Sequence, residues 1–218
     1  MYNQAVARKI SAIILDMDGV LVDTPRVARD ATNQLLKSRG FSFTQKQFKP
    51  FLSVPAFERV GVWNKRYGWD LAPDIFYEQF VDAQLALVRD EIAKGEAKNK
   101  LEELKERGLK LGLATNARTV KANKLLAAME MENFFDAVVT GDEVQTPKPN
   151  KEIYVKTMEK LVVQPSETIV VEDAAHGIRA AKRAGAKVLA LKTAPFSRNE
   201  LREADAVIDD LREVANYL

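Results

Sequence analysis

The sequence predicts an α/β protein in which a doubly wound parallel sheet, a Rossmann-like core, carries an inserted all-helical cap domain. Two observations support this prediction. Short apolar segments alternate with amphipathic segments of helical period, which is typical of buried parallel strands joined by crossover helices. One interval, residues 16–108, is much longer than the roughly twelve or more residues that a crossover requires. An additional domain is therefore expected within that interval.

Six segments have the composition of buried strands, because each is short, mainly aliphatic and bounded by glycine or polar residues. Between them lie four segments of helical period, two of which end at Gly108 and Gly185 as helix stops. The predicted strands are residues 10–15, 109–114, 137–140, 168–171, 188–191 and, at an edge, 206–208. The predicted helices are residues 98–107, 120–129, 151–161 and 177–184.

The long interval shows only helical patterns. Thr24 is predicted to be a helix N-cap with Pro25 at the first helical position, and apolar residues then recur at helical spacing until Gly40. Less regular helical sequence follows over residues 45–66, and a longer helix is predicted to run to Gly95. We expect the cap to span residues 22–95 and the core to span 1–21 and 96–218. The two crossings, near Val22 and Gly95, are the candidate hinges.

Composition excludes several classes of function. The 218 residues include 33 basic and 31 acidic side chains that are spread along the chain, so no nucleic-acid partner is expected. The absence of cysteine removes disulfides, thiolate nucleophiles and zinc–thiolate sites. The first residues of the sequence lack the apolar stretch typical of a secretory leader, and no apolar run approaches about 20 residues, so we expect a cytoplasmic protein without a membrane partner. We expect it to be a monomer or a weak homodimer.

Four polar clusters follow predicted strands or the loops after them. In an open parallel sheet ligands bind outside the carboxyl ends of the strands, so these clusters are expected to converge. Each has a simpler structural interpretation: a turn, a helix N-cap or a surface lysine. His176, the lone histidine, is expected to be solvated rather than catalytic. The clusters are Asp16-Met17-Asp18-Gly19, Thr115-Asn116, Lys148 between two prolines, and Glu172-Asp173.

Electrostatics favours a functional interpretation. Two ionised carboxylates about 4 Å apart repel by roughly 4 kcal/mol at an effective dielectric constant near 20. A crevice shared by the four acidic residues therefore requires a cation or additional protons, and Mg²⁺ suits carboxylate oxygens combined with a substrate phosphate. Lys148, Thr115 and Asn116 are expected to face that phosphate from the other side of the crevice.

These clusters resemble the four motifs of the haloacid dehalogenase-like (HAD) hydrolase superfamily, and the insertion resembles its small helical cap, as in phosphoglycolate phosphatase-like and β-phosphoglucomutase-like proteins. The resemblance covers essentially the whole chain. It implies that Asp16 is the nucleophile and Asp18 the general acid and base. It further implies that Thr115, Asn116 and Lys148 bind the phosphoryl group, that Asp16, the Asp18 backbone carbonyl and Asp173 hold Mg²⁺, and that Glu172 supports the metal site.

The predicted function is a Mg²⁺-dependent phosphatase that hydrolyses a small-metabolite phosphomonoester through an aspartyl-phosphate. The first alternative is a β-phosphoglucomutase-like mutase, although residues 51–59 lack the Gly-x-x-Arg pattern of such caps. Phosphonate hydrolysis would need a cap lysine, and none is distinguished by its neighbours. The second alternative, from a different class, is a non-catalytic phosphate or nucleotide sensor. Phosphoglycolate, a sugar phosphate and a nucleotide remain open as substrates. The large side chains Phe51, Arg59, Trp63 and Trp69 of the cap are left unassigned.

Overall fold

A computed structural model describes residues 9–93, 96–193 and 196–218. Its core is one six-stranded sheet with the order β3-β2-β1-β4-β5-β6, in which every pairing is parallel. The predicted fold class is confirmed, and 206–208 does form an edge strand. The strands are β1 Ala12–Leu15, β2 Lys110–Ala114, β3 Ala137–Val139, β4 Thr168–Glu172, β5 Lys187–Leu191 and β6 Ala206–Ile208.

Helices cover both faces of the sheet and build two apolar cores. Successive residues of β1 point to opposite faces, so Ile13 and Leu15 join one core while Ala12 and Ile14 join the other. Helices α5 Glu96–Glu106 and α6 Thr119–Ala128 contribute to the first core, and α7 Glu152–Leu161 and α8 Ala175–Arg183 contribute to the second. Strands buried on both faces explain the continuous apolar segments of the sequence.

Between residues 24 and 93 the described chain forms helices and turns around its own aromatic core. Phe51 and Trp63 belong to that core and are 5% and 1% exposed, whereas Trp69 is partly buried and stacks on Tyr67 with ring centroids 4.8 Å apart. These aromatic residues therefore stabilise the cap rather than line a substrate site. The helices are α1 Thr24–Leu36, α2 Gln45–Phe48, α3 Ala56–Tyr67 and α4 Pro73–Ala93.

The predicted start of the first cap helix is wrong by one residue. Asp23 is the N-cap, and its carboxylate accepts a hydrogen bond from the backbone N–H of Arg26 at 3.2 Å. Thr24 is already helical, and its hydroxyl donates to the carboxylate of Asp18 instead of capping the helix. Gly95, where the longest helix was predicted to end and the chain to rejoin the core, lies outside the described residues. The domain division at 22 and 95 stays a prediction.

Strand register brings the polar clusters to one edge of the sheet. Leu15 pairs with Leu113 on one side and with Val171 on the other, so Asp16 lies level with the ends of β2 and β4. The backbone N–H of Asp16 extends the ladder by donating to the Val171 carbonyl at 3.0 Å. The first, second and fourth clusters therefore emerge side by side, as their position after strands predicts.

Candidate active site

A cavity of about 80 Å³ lies where this edge of the sheet meets the cap. Its floor includes Asp16, Asp18, Lys148 and Asp173, which the sequence predicts to act together. Thr115 and Asn116 contribute to the same lining. The cap supplies the roof, in which Arg59, Phe80 and Gln84 take part. The predicted site residues are thus brought together, and Glu172 lies buried directly beside them at 1% exposure.

Lys148 lies among the carboxylates rather than across the crevice from them. Its ammonium group donates to Asp16 Oδ1 at 2.6 Å, to Glu172 Oε1 at 2.7 Å and to the Ala114 carbonyl at 2.8 Å. The side chain is 1% exposed, so these bonds replace its hydration. The expected position facing the carboxylates is therefore corrected: the lysine is itself a counter-ion of the acidic cluster, in addition to any metal.

Glu172 is the most enclosed acidic group of the cluster. The Tyr154 hydroxyl donates to its Oε1 at 2.5 Å, and its Oε2 accepts from the backbone N–H groups of Asp173 and Ala174 at 3.2 and 3.4 Å. Burial alone would raise the pKa of Glu172, but the charge of Lys148 holds that pKa below its ordinary value. Helix α8 takes Ala174, not Glu172 or Asp173, as its N-cap, so the simple capping interpretation of this pair is wrong.

Asp16, Glu172 and Asp173 form a candidate metal site. Each offers one carboxylate oxygen, and these three oxygens lie within 4.8 Å of one another. Burial raises the pKa of Asp16 to about 7 against the opposing charge of Lys148, and burial together with the neighbouring carboxylates raises that of Asp173 well above its usual range. Buried oxygen-only ligands with this excess of negative charge fit a hard cation such as Mg²⁺.

Gly19 allows the first loop to approach Asp173. Its φ of +88° lies in the left-handed region, and a Cβ placed there would come within 1.9 Å of Asp173 Oδ2. Thr193 donates to the same oxygen at 3.1 Å. The Asp-x-Asp-Gly cluster is thus a turn, as its simpler interpretation states, but a turn packed directly on a candidate metal ligand.

The carboxylate of Asp18 stands apart from this three-residue cluster. Its Oδ1 accepts hydrogen bonds from Lys121 Nζ at 2.6 Å and from the hydroxyl of Thr24. Burial favours the neutral form of Asp18, but the charge and hydrogen bond of Lys121, together with the hydrogen bond from Thr24 and the charge of Arg59, lower its pKa. The role expected for Asp18, in which its backbone carbonyl holds the metal and its carboxylate transfers a proton, stays a prediction.

Lys121 is a polar site residue that was not predicted from the sequence. Its side chain is 4% exposed, and it occupies the buried face of α6 together with Ala122 and Leu125. Residues four apart lie on the same face of a helix, so the spacing from Leu125 indicates that Lys121 is buried. A buried lysine requires a partner of opposite charge. Here that partner is Asp18.

Thr115 and Asn116 have different local roles. Thr115 Oγ1 accepts from the backbone N–H of Ala117 at 3.1 Å, and among the described residues its hydroxyl proton has no acceptor, so it can donate to a ligand. Asn116 Oδ1 instead accepts from the backbone N–H of Lys148 at 3.0 Å, so this side chain holds the lysine loop in place. Neither residue caps α6, because its N-cap is Arg118 and the N–H of Thr119 donates to Asp142 at 2.7 Å.

His176 also lines the cavity and is partly buried, contrary to the expectation of a solvated side chain. Burial lowers its pKa, although the charge of Glu172 opposes this effect. The imidazole therefore favours the neutral form beside the acidic cluster.

Arg118 joins the loop after β2 to the cap. Its guanidinium pairs with Asp74 of α4 at 2.8 Å and with Asp142 of the core at 3.1 Å, and it lies 4.4 Å from the ring centroid of Phe57. Its backbone N–H donates to the hydroxyl of Tyr77, another cap residue, at 3.2 Å. The cap is thus in contact with the loop that begins at Thr115.

A parallel sheet with buried acidic residues and a lysine at its carboxyl edge, covered by a helical cap, defines the class of capped α/β hydrolases. Comparison with protein-family models matches residues 13–191 to haloacid dehalogenase-like hydrolases. The chain belongs to this family, and the predicted enzyme class, a phosphatase of the HAD superfamily, is confirmed. The resemblance drawn from the four clusters is confirmed with it.

Curated relatives and solved structures agree with this assignment. A phosphorylated carbohydrates phosphatase of Thermotoga maritima is 32% identical over 179 residues, which cover 81% of this chain and 82% of that protein. A validoxylamine A 7'-phosphate phosphatase of Streptomyces hygroscopicus subsp. limoneus is 29% identical and covers 92% and 94%. Among solved structures, CbbY from Rhodobacter sphaeroides in complex with phosphate has a TM-score of 0.79 at 25% identity, over 94% of this chain and 96% of that one. No helix in the described part of the chain is long and apolar enough to cross a membrane.

Proposed function

We propose that this protein is a Mg²⁺-dependent phosphatase that hydrolyses a small-metabolite phosphomonoester through an aspartyl-phosphate on Asp16. The observation that carries the proposal is the pairing of Lys148 with Asp16 at 2.6 Å, with Asp173 and Asp18 lining the same cavity. This arrangement supports one carboxylate as a nucleophile and a second, separately held carboxylate as an acid and base.

In the first proposed step an oxygen of Asp16 forms a bond to phosphorus while the bond to the leaving oxygen breaks. When bound, Mg²⁺ supplies the positive charge that lets one anion approach another. Lys148 contributes to the same charge balance and orients the Asp16 carboxylate, and the Thr115 hydroxyl donates to a phosphoryl oxygen. Asp18 gives its proton to the leaving oxygen, which departs as an alcohol.

In the second proposed step Asp18 removes a proton from the water that attacks the phosphorus of the aspartyl-phosphate. The bond between phosphorus and the Asp16 oxygen breaks, which regenerates the Asp16 carboxylate and releases phosphate. The hydrogen bonds from Lys121 and Thr24 favour the ionised form that this step needs. In the first step the negative charge of the substrate phosphate beside Asp18 acts in the opposite direction, because nearby negative charge raises the pKa of a carboxyl group. The two proton transfers are therefore assigned to the same group in two electrostatic environments.

The size of the cavity supports a small substrate. About 80 Å³ accommodates a phosphoryl group and a few further atoms, whereas pockets for larger ligands span roughly 300 to 1,000 Å³. We therefore favour a short phosphorylated metabolite over a nucleotide. Relatives described as a phosphorylated carbohydrates phosphatase and a phosphoglycolate phosphatase are consistent with this class. The mutase alternative is not favoured, because residues 51–59 lack the Gly-x-x-Arg pattern. The cytoplasmic location and the monomeric or weakly dimeric state stay predictions.

The test is phosphate release from a panel of small phosphomonoesters, measured with Mg²⁺ and with excess chelator. We expect turnover that requires Mg²⁺ and is lost in Asp16→Asn, while the exposed control Asp70→Asn retains wild-type rates. Substrate binding without turnover across the panel would favour the sensor alternative. Retained turnover in purified Asp16→Asn would remove the nucleophile assignment.

A further inference from the structure

Arg59 brings an incompletely paired charge into the roof of the cavity. The residue is 8% exposed, and its Nε donates to the Val54 carbonyl at 2.8 Å. Within the described ranges no carboxylate pairs with this guanidinium, and neither of its two terminal nitrogens has a hydrogen-bond acceptor. A largely buried guanidinium that lines a cavity and has no carboxylate partner favours binding of an anion there, because the anion would supply the missing counter-charge.

Gln84 offers an acceptor in the same roof. The side chain is 3% exposed, and its Nε2 donates to the Thr24 carbonyl at 3.1 Å. A carbonyl can only accept, so the amide nitrogen faces Thr24 and the amide oxygen points elsewhere. That oxygen has no hydrogen-bond partner among the described residues. The cap therefore contributes an unused donor pair from α3 and an unused acceptor from α4 to one cavity.

The position of Arg59 relates it to the leaving group. Arg59 and Asp18 line the same cavity, and the charge of Asp18 opposes the effect of burial on the pKa of Arg59, so the guanidinium lies within electrostatic range of Asp18. Asp18 is already paired with Lys121 and is the proposed proton donor to the leaving oxygen. The atoms attached to that oxygen therefore extend from Asp18 toward Arg59 and Gln84.

We propose that Arg59 and Gln84 form a leaving-group subsite that selects phosphomonoesters carrying a second oxyanion, carboxylate or phosphate, next to a hydroxyl group. The planar guanidinium binds the oxyanion through two parallel N–H bonds, and the amide oxygen of Gln84 accepts from the hydroxyl. This inference rests on the proposed phosphatase function for the identity of the leaving group, but it concerns binding and can be tested without turnover.

The experiment measures binding by calorimetry to the Asp16→Asn protein with Mg²⁺ present. 3-Phosphoglycerate and glycerol 3-phosphate both carry a hydroxyl on the middle carbon. The first ends in a carboxylate, and the second ends in a hydroxymethyl group. We expect the acid to bind roughly 10-fold to 100-fold more tightly, the usual value of a charge-assisted contact. Adding Arg59→Met should reduce this ratio to about one, whereas Arg66→Met, which removes an exposed arginine from the same helix, should leave it unchanged. Arg59→Lys provides a folded comparison that retains the charge, and it should give an intermediate ratio.

A second ligand pair tests the acceptor. 3-Phosphoglycerate should bind more tightly than the phosphate ester 3-(phosphooxy)propionate, which lacks the hydroxyl. Gln84→Met should remove that preference. Equal binding of the acid and its hydroxymethyl analogue, or a ratio that survives both Arg59 substitutions, would overturn the subsite. Glycerol 1,3-bisphosphate carries a second phosphate in place of the carboxylate. If it binds more tightly than 3-phosphoglycerate, phosphate is the preferred oxyanion.

The two proposals fail separately. Wild-type protein that releases phosphate from the panel but shows no preference for the acid overturns the subsite and leaves the phosphatase function standing. An Arg59-dependent preference in a protein that hydrolyses none of the panel supports the subsite and overturns the phosphatase function.

Discussion

Gly177, in the first turn of α8, is predicted to be intolerant of even one added carbon. A Cβ at this position would lie 1.9 Å from Glu172 Oε1, 2.0 Å from its Cδ and 2.3 Å from its Oε2. Ordinary contact begins near 3.4 Å, so the carboxylate or the helix must move by about 1.5 Å. Such a movement breaks the bonds of Glu172 Oε1 to Lys148 at 2.7 Å and to Tyr154 at 2.5 Å.

The expected effect follows from those two bonds. Each hydrogen bond to a charged group contributes roughly 1.5 to 3 kcal/mol, so the loss of both costs about 3 to 6 kcal/mol. Alanine is the better helix former by about 1 kcal/mol, and Gly177 has no positive φ that would penalise the exchange. We therefore expect Gly177→Ala to lower the free energy of unfolding by roughly 2 to 5 kcal/mol.

Urea denaturation followed by circular dichroism measures this difference. The matched control is Gly61→Ala in the exposed part of α3, where an added Cβ meets nothing within 4 Å. That variant should be slightly more stable than wild type, by about 0.5 to 1 kcal/mol. A Gly177→Ala protein as stable as wild type would refute the close approach of α8 to Glu172.

Three further predictions concern charged groups. Lys121→Met should lower kcat by roughly 10-fold to 1,000-fold in phosphate-release assays without unfolding the protein, because Asp18 loses the cation that orients it; the exposed Lys65→Met should not. Arg118→Ala should weaken the contact between cap and core, which would appear as faster limited proteolysis and a higher KM. About 1 M salt screens the Arg118–Asp74 ion pair, so it should increase the proteolysis rate and the KM of the wild-type protein as well. Hydrogen bonds from Arg212 hold the pKa of Asp210 below its usual range, so ionised Asp210 stabilises the fold above about pH 4 and this contribution is lost as the pH falls. Asp210→Asn should therefore lower Tm at about pH 7, and its difference from wild type should shrink progressively in acid.

The sheet and the catalytic edge could be predicted because their signals are local. A buried parallel strand needs a continuous apolar segment, and the residue after it must emerge at the carboxyl edge, so Asp16, Thr115 and Glu172 were placed correctly. The contact between Lys148 and the acidic residues was not predictable in the same way. Coulomb's law requires a cation among buried carboxylates but does not say whether a lysine or a metal ion provides it.

The contacts between cap and core escaped prediction for a related reason. Thr24, Lys121 and Arg118 lie on helices or in a loop where a polar residue is usually exposed. Their partners are distant in sequence, and the orientation of the cap decides which side chains meet. Arg59 was left unassigned because a helical period cannot distinguish the cavity side of the cap from its core.

The amine of Lys148 has a practical use as a reporter. Three acceptors surround it, and the side chain is 1% exposed. A reagent that acylates amines from solution would therefore modify the surface lysines long before this one. The rate at which mass spectrometry detects acylation of Lys148 would then report the rate of local unfolding at the strand ends. Movement of the cap helices alone would not produce this signal.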